Sequence, residues 1–529
     1  MKEELILLGY TFNTQTDTEV ILASYDKWGE ECLNRFNGMW SFAIYDKEKE
    51  IIFCSRDRFG VKPFYYYENS DIFSFASEIK QFQAINNFEA VVKKELVYNF
   101  LANSLFDYNE LSFFQDVKQL MGGYKLVYNL NSNNYTIKRW YDLNKVEISN
   151  KNFLDLFRNS INLRLRSDVK VGSCLSGGLD SSSIVSVVNN EILDKSNQEV
   201  VSACYANKKF DESDYIDDVV KSRNLTSHKV FPNLDKLLNI EYLQKTIYIQ
   251  DAPYTTTSIF SQYSVFEEAS KNGLKVMLDG QGADEILCGY HSFFVPLLAT
   301  YLKKFDFKSF YSEFKSIKKD HNINSAFLVL QVLNSLLPRF LKKAIKREKN
   351  SFINMEEFKN LKSKTPFIDY GERDSDITNF SISQLFHTNL PLLLHYADRN
   401  SMTHSIEARL PFLDYRFVEY IISLPNNQKI KDGVTKSILR DSLRGIVSDK
   451  ILDRKDKMGF VTPEEVWAKE NKDFFRAELK KAVEKSKYIN QSILNEFEEF
   501  LKGKKSYNPS FWRIITYSNW MEVFGVKEI

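Results

Sequence analysis

Hydrophobic and polar positions change rhythm once along this chain. Up to about residue 145 the apolar residues come in short runs, at 42–45, 51–55, 64–67 and 72–77, aromatic or β-branched and separated by polar turns. That pattern predicts strands and hairpins. Residues 17–27 are the exception, because Val20, Ile21, Ser24 and Trp28 fall near one face of a helix. Residues 124–129 and 135–141 flank an Asn/Ser turn and predict a further hairpin. From about Asn152 a helical period alternates with short apolar runs: helix 152–166, strand 169–175, helix 180–193, strand 199–206, helix 212–224, strand 275–279 and helix 283–290. Such alternation predicts a parallel, doubly wound sheet that binds ligands at the carboxyl ends of its strands. The chain from about 295 to 529 reads as mostly helical. Its most apolar stretch, 326–341, is broken by Gln331, Asn334, Ser335, Pro338 and Arg339, and reads as a buried helix pair, not a membrane span.

Composition narrows this picture. The 529 residues are enough for two or three domains, and 71 basic against 70 acidic residues give no polyanion-binding balance. A basic stretch at 342–349 reads as a solvated helix face. The five cysteines, Cys32, Cys54, Cys174, Cys204 and Cys288, are scattered and never in C-x-x-C, as expected of reduced thiols and not of a disulfide frame or zinc site. With no signal pattern at the N-terminus, a soluble cytoplasmic protein is expected.

Four constellations carry candidate chemistry. The first is VKVGSCLSGGLDSSS at 169–183: a buried strand through Leu175, a turn at Ser176, Gly177 and Gly178, then a helix opening with Asp180, Ser181 and Ser182. Glycines free the backbone so that successive N–H groups can converge on an oxyanion, and the helix N-terminus adds its dipole. The alternative is an ordinary strand–turn–helix corner. No Walker G-x-x-x-x-G-K-[ST] occurs in the chain, whereas SGG-x-D-S resembles the pyrophosphate loop of the PP-loop ATP pyrophosphatases, with Asp180 able to hold Mg²⁺. The second is LDGQGADEILCGY at 278–290, in which Asp279 and Gly280 follow a strand and Asp284 offers a second carboxylate opposite Asp180. It departs from the dinucleotide G-x-G-x-x-G because Glu285 stands at the third glycine.

The third, 398–414, gathers Arg399, Glu407 and Arg409 with Asp398, Asp414 and His404, in a helix expected to break before Pro411. It fits either a carboxylate- and pyrophosphate-binding cluster or a buried salt-bridge network, and His404 reads as structural. The fourth is Lys436 with Arg440, one turn apart and so on one helix face, either a catalytic pair or an exposed basic one.

In this order the four blocks resemble the glutamine-dependent asparagine synthetases of the B type across essentially the whole chain. The segments DTEVIL, RFNGMWSFAIYD, SRDRFGVKPFYY and FASEIK resemble that family's glutaminase domain. The resemblance implies α/β and α+β architecture: an incomplete N-terminal-nucleophile amidotransferase sheet domain at 1–145, then a PP-loop doubly wound parallel synthetase domain with a helical C-terminal part at 146–529. It implies ATP and Mg²⁺ as cofactors, adenylation of aspartate to β-aspartyl-AMP with release of pyrophosphate, and displacement of AMP by ammonia arriving through a tunnel. Leu175 and Tyr205 would flank adenine and ribose, Asp279 and Gly280 would bind nucleotide, and Ser176, Gly177, Gly178, Asp180, Ser181 and Ser182 would hold the phosphates. Asp180 and Asp284 would ligate Mg²⁺, Lys436 would meet charge on the α-phosphate, and Arg440 and Gln281 complete the catalytic set. Arg399, Glu407 and Arg409 would serve aspartate and pyrophosphate, and Asp17 the glutamine amino group. The expected partners are small molecules (aspartate, ATP, and ammonia or glutamine), without nucleic acid or membrane, and a homodimer stays open.

Two departures modify the expectation. The family's glutaminase starts with a nucleophilic Cys whose own α-amine is its base. The resemblance begins inside that domain, so a truncated sheet with unpaired edges and an ammonia-dependent reaction are expected. Gln281 stands where many of these synthetases carry Glu, and an amide accepts no proton at neutral pH. Relatives with Gln amidate other carboxylates, such as sugar acids of surface polysaccharides, which is the alternative reading. A catalytically silent nucleotide- or partner-binding relative is the third.

Overall fold

The structure, a computed structural model, describes residues 1–143, 152–191, 198–321, 323–344, 351–361, 366–371, 374–455 and 462–528. Near the N-terminus, β1 (Ser41–Asp46), β2 (Ile51–Arg56), β3 (Tyr65–Glu68), β4 (Phe73–Ala76), β6 (Tyr124–Asn129) and β7 (Asn134–Arg139) follow the short apolar runs, and β5 (Val117–Gln119) is a strand that no run marked. They build an antiparallel sheet of order β1-β2-β6-β7 and a smaller one of order β4-β3-β5. Successive side chains of a strand point to opposite faces, and β2 uses both. Phe53 stacks on Tyr25 with ring centres 5.1 Å apart, on the side that also buries Trp40. Its neighbour Cys54 packs with Tyr66 and Leu126 on the other. The helix Asp17–Trp28 covers the first of these faces, as its apolar stripe predicts.

The second half supplies β8 (Val171–Cys174), β9 (Glu199–Ala203), β10 (Thr226–Val230), β11 (Val276–Leu278) and β12 (Glu407–Arg409), in the order β10-β9-β8-β11-β12, every pair parallel. The chain runs outward from β8 to β10, then crosses back to β11 on the other side of β8. The gap between the ends of β8 and β11 is therefore a topological switch point, where open α/β sheets bind ligands. Asn152 caps the helix before β8, accepting from the Leu154 and Asp155 amides, and Phe153, Leu156, Phe157 and Ile161 form its buried stripe.

Three readings are corrected. The helix expected to run to Pro411 is Leu390–Met402, and Glu407–Arg409 instead extends the sheet, Val276 opposite Glu407. Ser405 turns the chain with φ +55°, and Ile406 and Ala408 enter the core beside Met277. The helix expected over 283–290 is only Ala283–Ile286, because Cys288 takes φ +58° and reverses the chain. The apolar stretch 326–341 is not buried. In the helix Ser325–Leu336 only Leu328, Val332 and Ser335 are buried, while Phe327, Leu330 and Leu333 are each more than half exposed. In the basic stretch 342–349, Lys342 is buried, and residues from 345 onward lie outside the described residues, as does the expected boundary at 145.

The change of rhythm near residue 145 is not a seam in the packing. One core joins Leu96, Phe100 and Phe114 to Trp512, Trp520 and Phe524 of the helix Ser510–Phe524. Polar pins cross it too: Asn37 Nδ2 donates to Asp414 Oδ2 at 2.9 Å, and Lys62 Nζ lies 3.0 Å from Asp398 Oδ1. No helix among the described residues is long and apolar enough to cross a membrane.

Candidate active site

At the end of β8 the Leu175 amide still donates to Val201 O at 3.0 Å, and the chain then leaves the sheet. Gly177 takes φ +76°, which L side chains rarely adopt, and lets the loop turn directly into the helix Leu179–Glu191. The hydroxyls expected to bind phosphate brace the loop. Ser181 Oγ accepts from the Ser176 amide at 3.1 Å, and Ser176 Oγ accepts from the Gly178 amide at 3.3 Å. Leu175, Ser176, Gly178, Asp180 and Ser181 line one wall of a cleft of about 200 Å³, and Asp279, Gly280, Gln281 and Asp284 line the facing wall. Ser182 is fully buried, and Gly177 reaches Arg454 through its carbonyl oxygen. Tyr205 closes one end, its hydroxyl donating to Ser261 Oγ at 2.7 Å.

Lys436 sits between the walls. Its Nζ lies 2.6 Å from both carboxylate oxygens of Asp180 and 2.7 Å from Asp284 Oδ1. Burial disfavours the ammonium, but the two carboxylates outweigh it and hold its pKa above the ordinary lysine value. Lys436 precedes the helix Ser437–Ser442 at φ +57°, a conformation uncommon outside glycine and often kept at working sites. It therefore does not share a helix face with Arg440. Arg440 instead donates to the carbonyl oxygens of Thr435 (2.9 Å), Leu452 and Arg454 (2.9 Å), tying together the two segments at the cleft mouth.

Gly289 makes the ion cluster sterically feasible. A Cβ at this position would overlap Asp284 Oδ1 and Lys436 Cε. Gly289→Ala is expected to lower turnover at least about tenfold, with the thermal transition shifted by only a few degrees, because the misplacement falls on the reacting groups. Side-by-side kinetics and melting curves check this, and wild-type turnover would refute it.

The donor set fits a divalent cation completed by its substrate. Among the described residues no group of three His, Cys, Asp or Glu could hold a metal by itself. Two carboxylates facing each other across a cleft match Mg²⁺, which takes one or two protein carboxylates and fills its shell with phosphate oxygens and water.

Asp279 is buried at the head of the second loop. Desolvation lifts its carboxyl to about 6, against the opposing pull of the Gly280 and Gln281 donors. Gln281 Nε2 donates to Asp279 Oδ2 at 3.3 Å, while Gln281 Oε1 is buried with no hydrogen-bond partner among the described residues. Sequence reasoning missed several lining groups. Arg454 pairs with Glu212 at 2.5 Å, and its guanidinium lies 4.1 Å from the centre of the Tyr215 ring. Glu285 accepts from the Tyr290 hydroxyl (2.8 Å) and from Asn389 Nδ2 (2.6 Å), so it anchors the loop carrying Asp284. Only the D-E pair of ADE hinted at Glu285, and nothing local marked Arg454.

Three residues expected at the site, Arg399, Glu407 and Arg409, lie elsewhere. Arg399 is buried between Asp251 (3.3 Å), Asp398 (3.2 Å) and the Ser77 carbonyl, and despite burial the two carboxylates help hold its pKa above the usual value. It borders a separate small cavity of about 20 Å³ between Arg56, Gly60 and Gln119 on one side and Leu394 and His395 on the other. Arg409 donates to the carbonyl oxygens of Arg164 and Arg166 (2.8 and 2.7 Å) and pairs with Glu407 (2.8 Å), which fastens β12 to the end of the helix Phe153–Leu165 before β8. Asp17 is exposed at the start of its helix. The third constellation is thus a structural network, the alternative open at the sequence level.

Comparison with known proteins agrees in order and extent. A family profile described as asparagine synthase matches residues 152–522, and one described as a glutamine amidotransferase domain matches 1–141. A glutamine-hydrolysing asparagine synthetase of Bacillus subtilis is 27% identical over 99% of this chain and 83% of its own length. Another from the same organism is 28% identical over 86% of this chain and 72% of its own.

Proposed function

This chain belongs to the asparagine synthase family, an ATP-dependent carbon–nitrogen ligase family, and from that premise we propose that the cleft between β8 and β11 adenylates aspartate and transfers its acyl group to ammonia. The arrangement that carries this reading is the Asp180–Lys436–Asp284 cluster at the switch point, 2.6–2.7 Å across each contact. A side-chain carboxylate oxygen attacks the α-phosphorus of ATP, the bond to the β-phosphate oxygen breaks, and pyrophosphate leaves. Ammonia then attacks the acyl carbon of β-aspartyl-AMP, AMP departs with the electron pair, and the nitrogen sheds a proton.

In this scheme the loop 176–183 receives the departing pyrophosphate on its amides, with the helix Leu179–Glu191 behind it. Asp180 and Asp284 would hold Mg²⁺, which would neutralise phosphate charge. The Lys436 ammonium meets the charge that grows at the α-phosphate, and Arg440 fixes the segment that carries Lys436. Asp279 and Gly280 take the nucleotide beside Tyr205. Residues 1–145 form the amidotransferase domain and 146–529 the synthetase domain, and ammonia passes between them.

Gln281 favours a second reading, amidation of another carboxylate such as a sugar acid, because its carboxamide cannot take the proton that ammonia loses. Asparagine is expected as the product when aspartate, ATP and ammonium are supplied, with one AMP released per amide formed. Gln281→Glu is expected to raise aspartate-dependent AMP release several-fold, since a carboxylate accepts the proton. Turnover with uronates and none with aspartate would establish the second reading.

A further inference from the structure

The helical segment 294–344 borders the cleft on one side, where Asp320 pairs with Lys455, and presents an unusual surface on the other. The helix Phe294–Lys303 packs against both Phe307–Asp320 and Ser325–Leu336. The outward sides of these last two helices are not covered by any described part of the chain. On the first, Phe307, Tyr311 and Phe314 fall at i, i+4 and i+7, one stripe, and Lys308, Lys315 and Lys319 form the stripe beside it. Phe314 lines a shallow depression with Ala326, Val329, Leu330 and Leu333 of the second helix, so the aromatic stripe continues onto that helix.

The apolar tips protrude. Phe305 is 79% exposed, Phe340 70% and Tyr311 67%. Phe305 also takes φ +56°, an uncommon backbone state for a bulky residue. Large exposed apolar patches mark interaction sites.

Charge identifies the occupant. Between 303 and 320 the sequence has six Lys against three Asp or Glu, in a chain whose total balance is +1. Lys303, Lys304, Lys308, Lys315, Lys318 and Lys319 are all exposed. The acids among them are engaged: Asp306 caps its own helix at the Ser309 amide (3.0 Å), Glu313 accepts from the Asp432 and Gly433 amides, and Asp320 pairs with Lys455 (2.9 Å). The free field of this face is cationic. Protruding Phe and Leu rimmed by Lys is the pattern of an interfacial, membrane-surface helix. A second copy docked through the same patch would set lysine rows against each other, since an isologous contact meets itself.

We propose that this face seats the protein on an anionic lipid bilayer, with Phe305, Phe307, Phe327, Leu330 and Phe340 in the interfacial layer and the lysines over the headgroups. It is a peripheral contact and requires no spanning helix.

Flotation of the full chain with vesicles tests it. Binding is expected to vesicles of phosphatidylglycerol mixed with phosphatidylcholine, to fall steeply as salt is raised, and to be absent with phosphatidylcholine alone. Each interfacial lysine is worth about fivefold in partition, so Lys308→Glu, Lys315→Glu and Lys319→Glu together should weaken binding at least about a hundredfold. Phe307→Ser with Leu330→Ser should also release the protein, even at low salt. All five positions are exposed, so melting temperature and ATP–pyrophosphate exchange should match wild type and show that the variants fold. Failure to float with the anionic vesicles would overturn the proposal, as would undiminished binding of both variants. A stable dimer that the apolar variant dissociates would also overturn it, and would assign the face to a second copy.

Discussion

Removing the Lys436 ammonium is expected to cut aspartate-dependent exchange of pyrophosphate into ATP by more than about a hundredfold, roughly 3 kcal/mol of transition-state stabilisation. The expectation rests on position. Lys436 is buried, its Nζ touches three carboxylate oxygens within 2.7 Å, and among the described residues no backbone carbonyl competes for its protons. Its charge therefore stands where phosphate would enter. Two substitutions separate catalysis from folding. Lys436→Met keeps the length and packing of the stem but leaves two acidic groups facing each other without a cation. It should lose exchange and also some stability, which added Mg²⁺ should partly restore. Asp180→Ala removes the partner that Lys436 contacts twice and should abolish exchange while leaving the fold intact. Exchange rates near wild type in either variant would return the cluster to a structural salt bridge and place the chemistry elsewhere.

The second large effect concerns the source of nitrogen. A polypeptide of these 529 residues is expected to release no glutamate from glutamine above background and to take its nitrogen from added ammonium. A glutaminase thiol must ionise, and the thiols here are held protonated. Burial pushes Cys32, Cys54 and Cys288 up to about 12, raises Cys204, and raises Cys174 well above its usual value. At pH 7 a thiol with pKa near 12 is ionised to about one part in 10⁵. None of these cysteines has an α-amine beside it to take the proton, and an activated nucleophile with its oxyanion donors is worth orders of magnitude in rate. Amide formation followed with ¹⁵N-labelled glutamine and ¹⁵N-labelled ammonium decides the matter. Transfer from glutamine at a rate comparable to ammonium, by protein whose mass corresponds to the 529 residues, would refute it.

What could be read from the sequence was local. The pyrophosphate loop was legible because its turn glycines, hydroxyls and carboxylate lie within eight consecutive residues, at a strand–helix junction that periodicity marks without outside help. The hairpin of β6 and β7 and the helix after Asn152 were legible for the same reason: period and cap lie in the segment itself. The tertiary structure decided whatever depends on a distant neighbour. Three residues, Glu407–Arg409, are too short to carry a period, and they became a strand because β11 offered an unpaired edge. Arg399 and Arg409 looked like ligands until Asp251 and two backbone carbonyls from the helix before β8 were brought against them. The contact between Lys436 and Asp180 spans 256 residues, and no pattern in either neighbourhood encodes it. Gly289 is constrained by the space those two side chains and Asp284 occupy. The stretch 326–341 is apolar enough to be buried, but hydrophobicity sets only the tendency, and burial needs an opposing surface that the described chain does not provide.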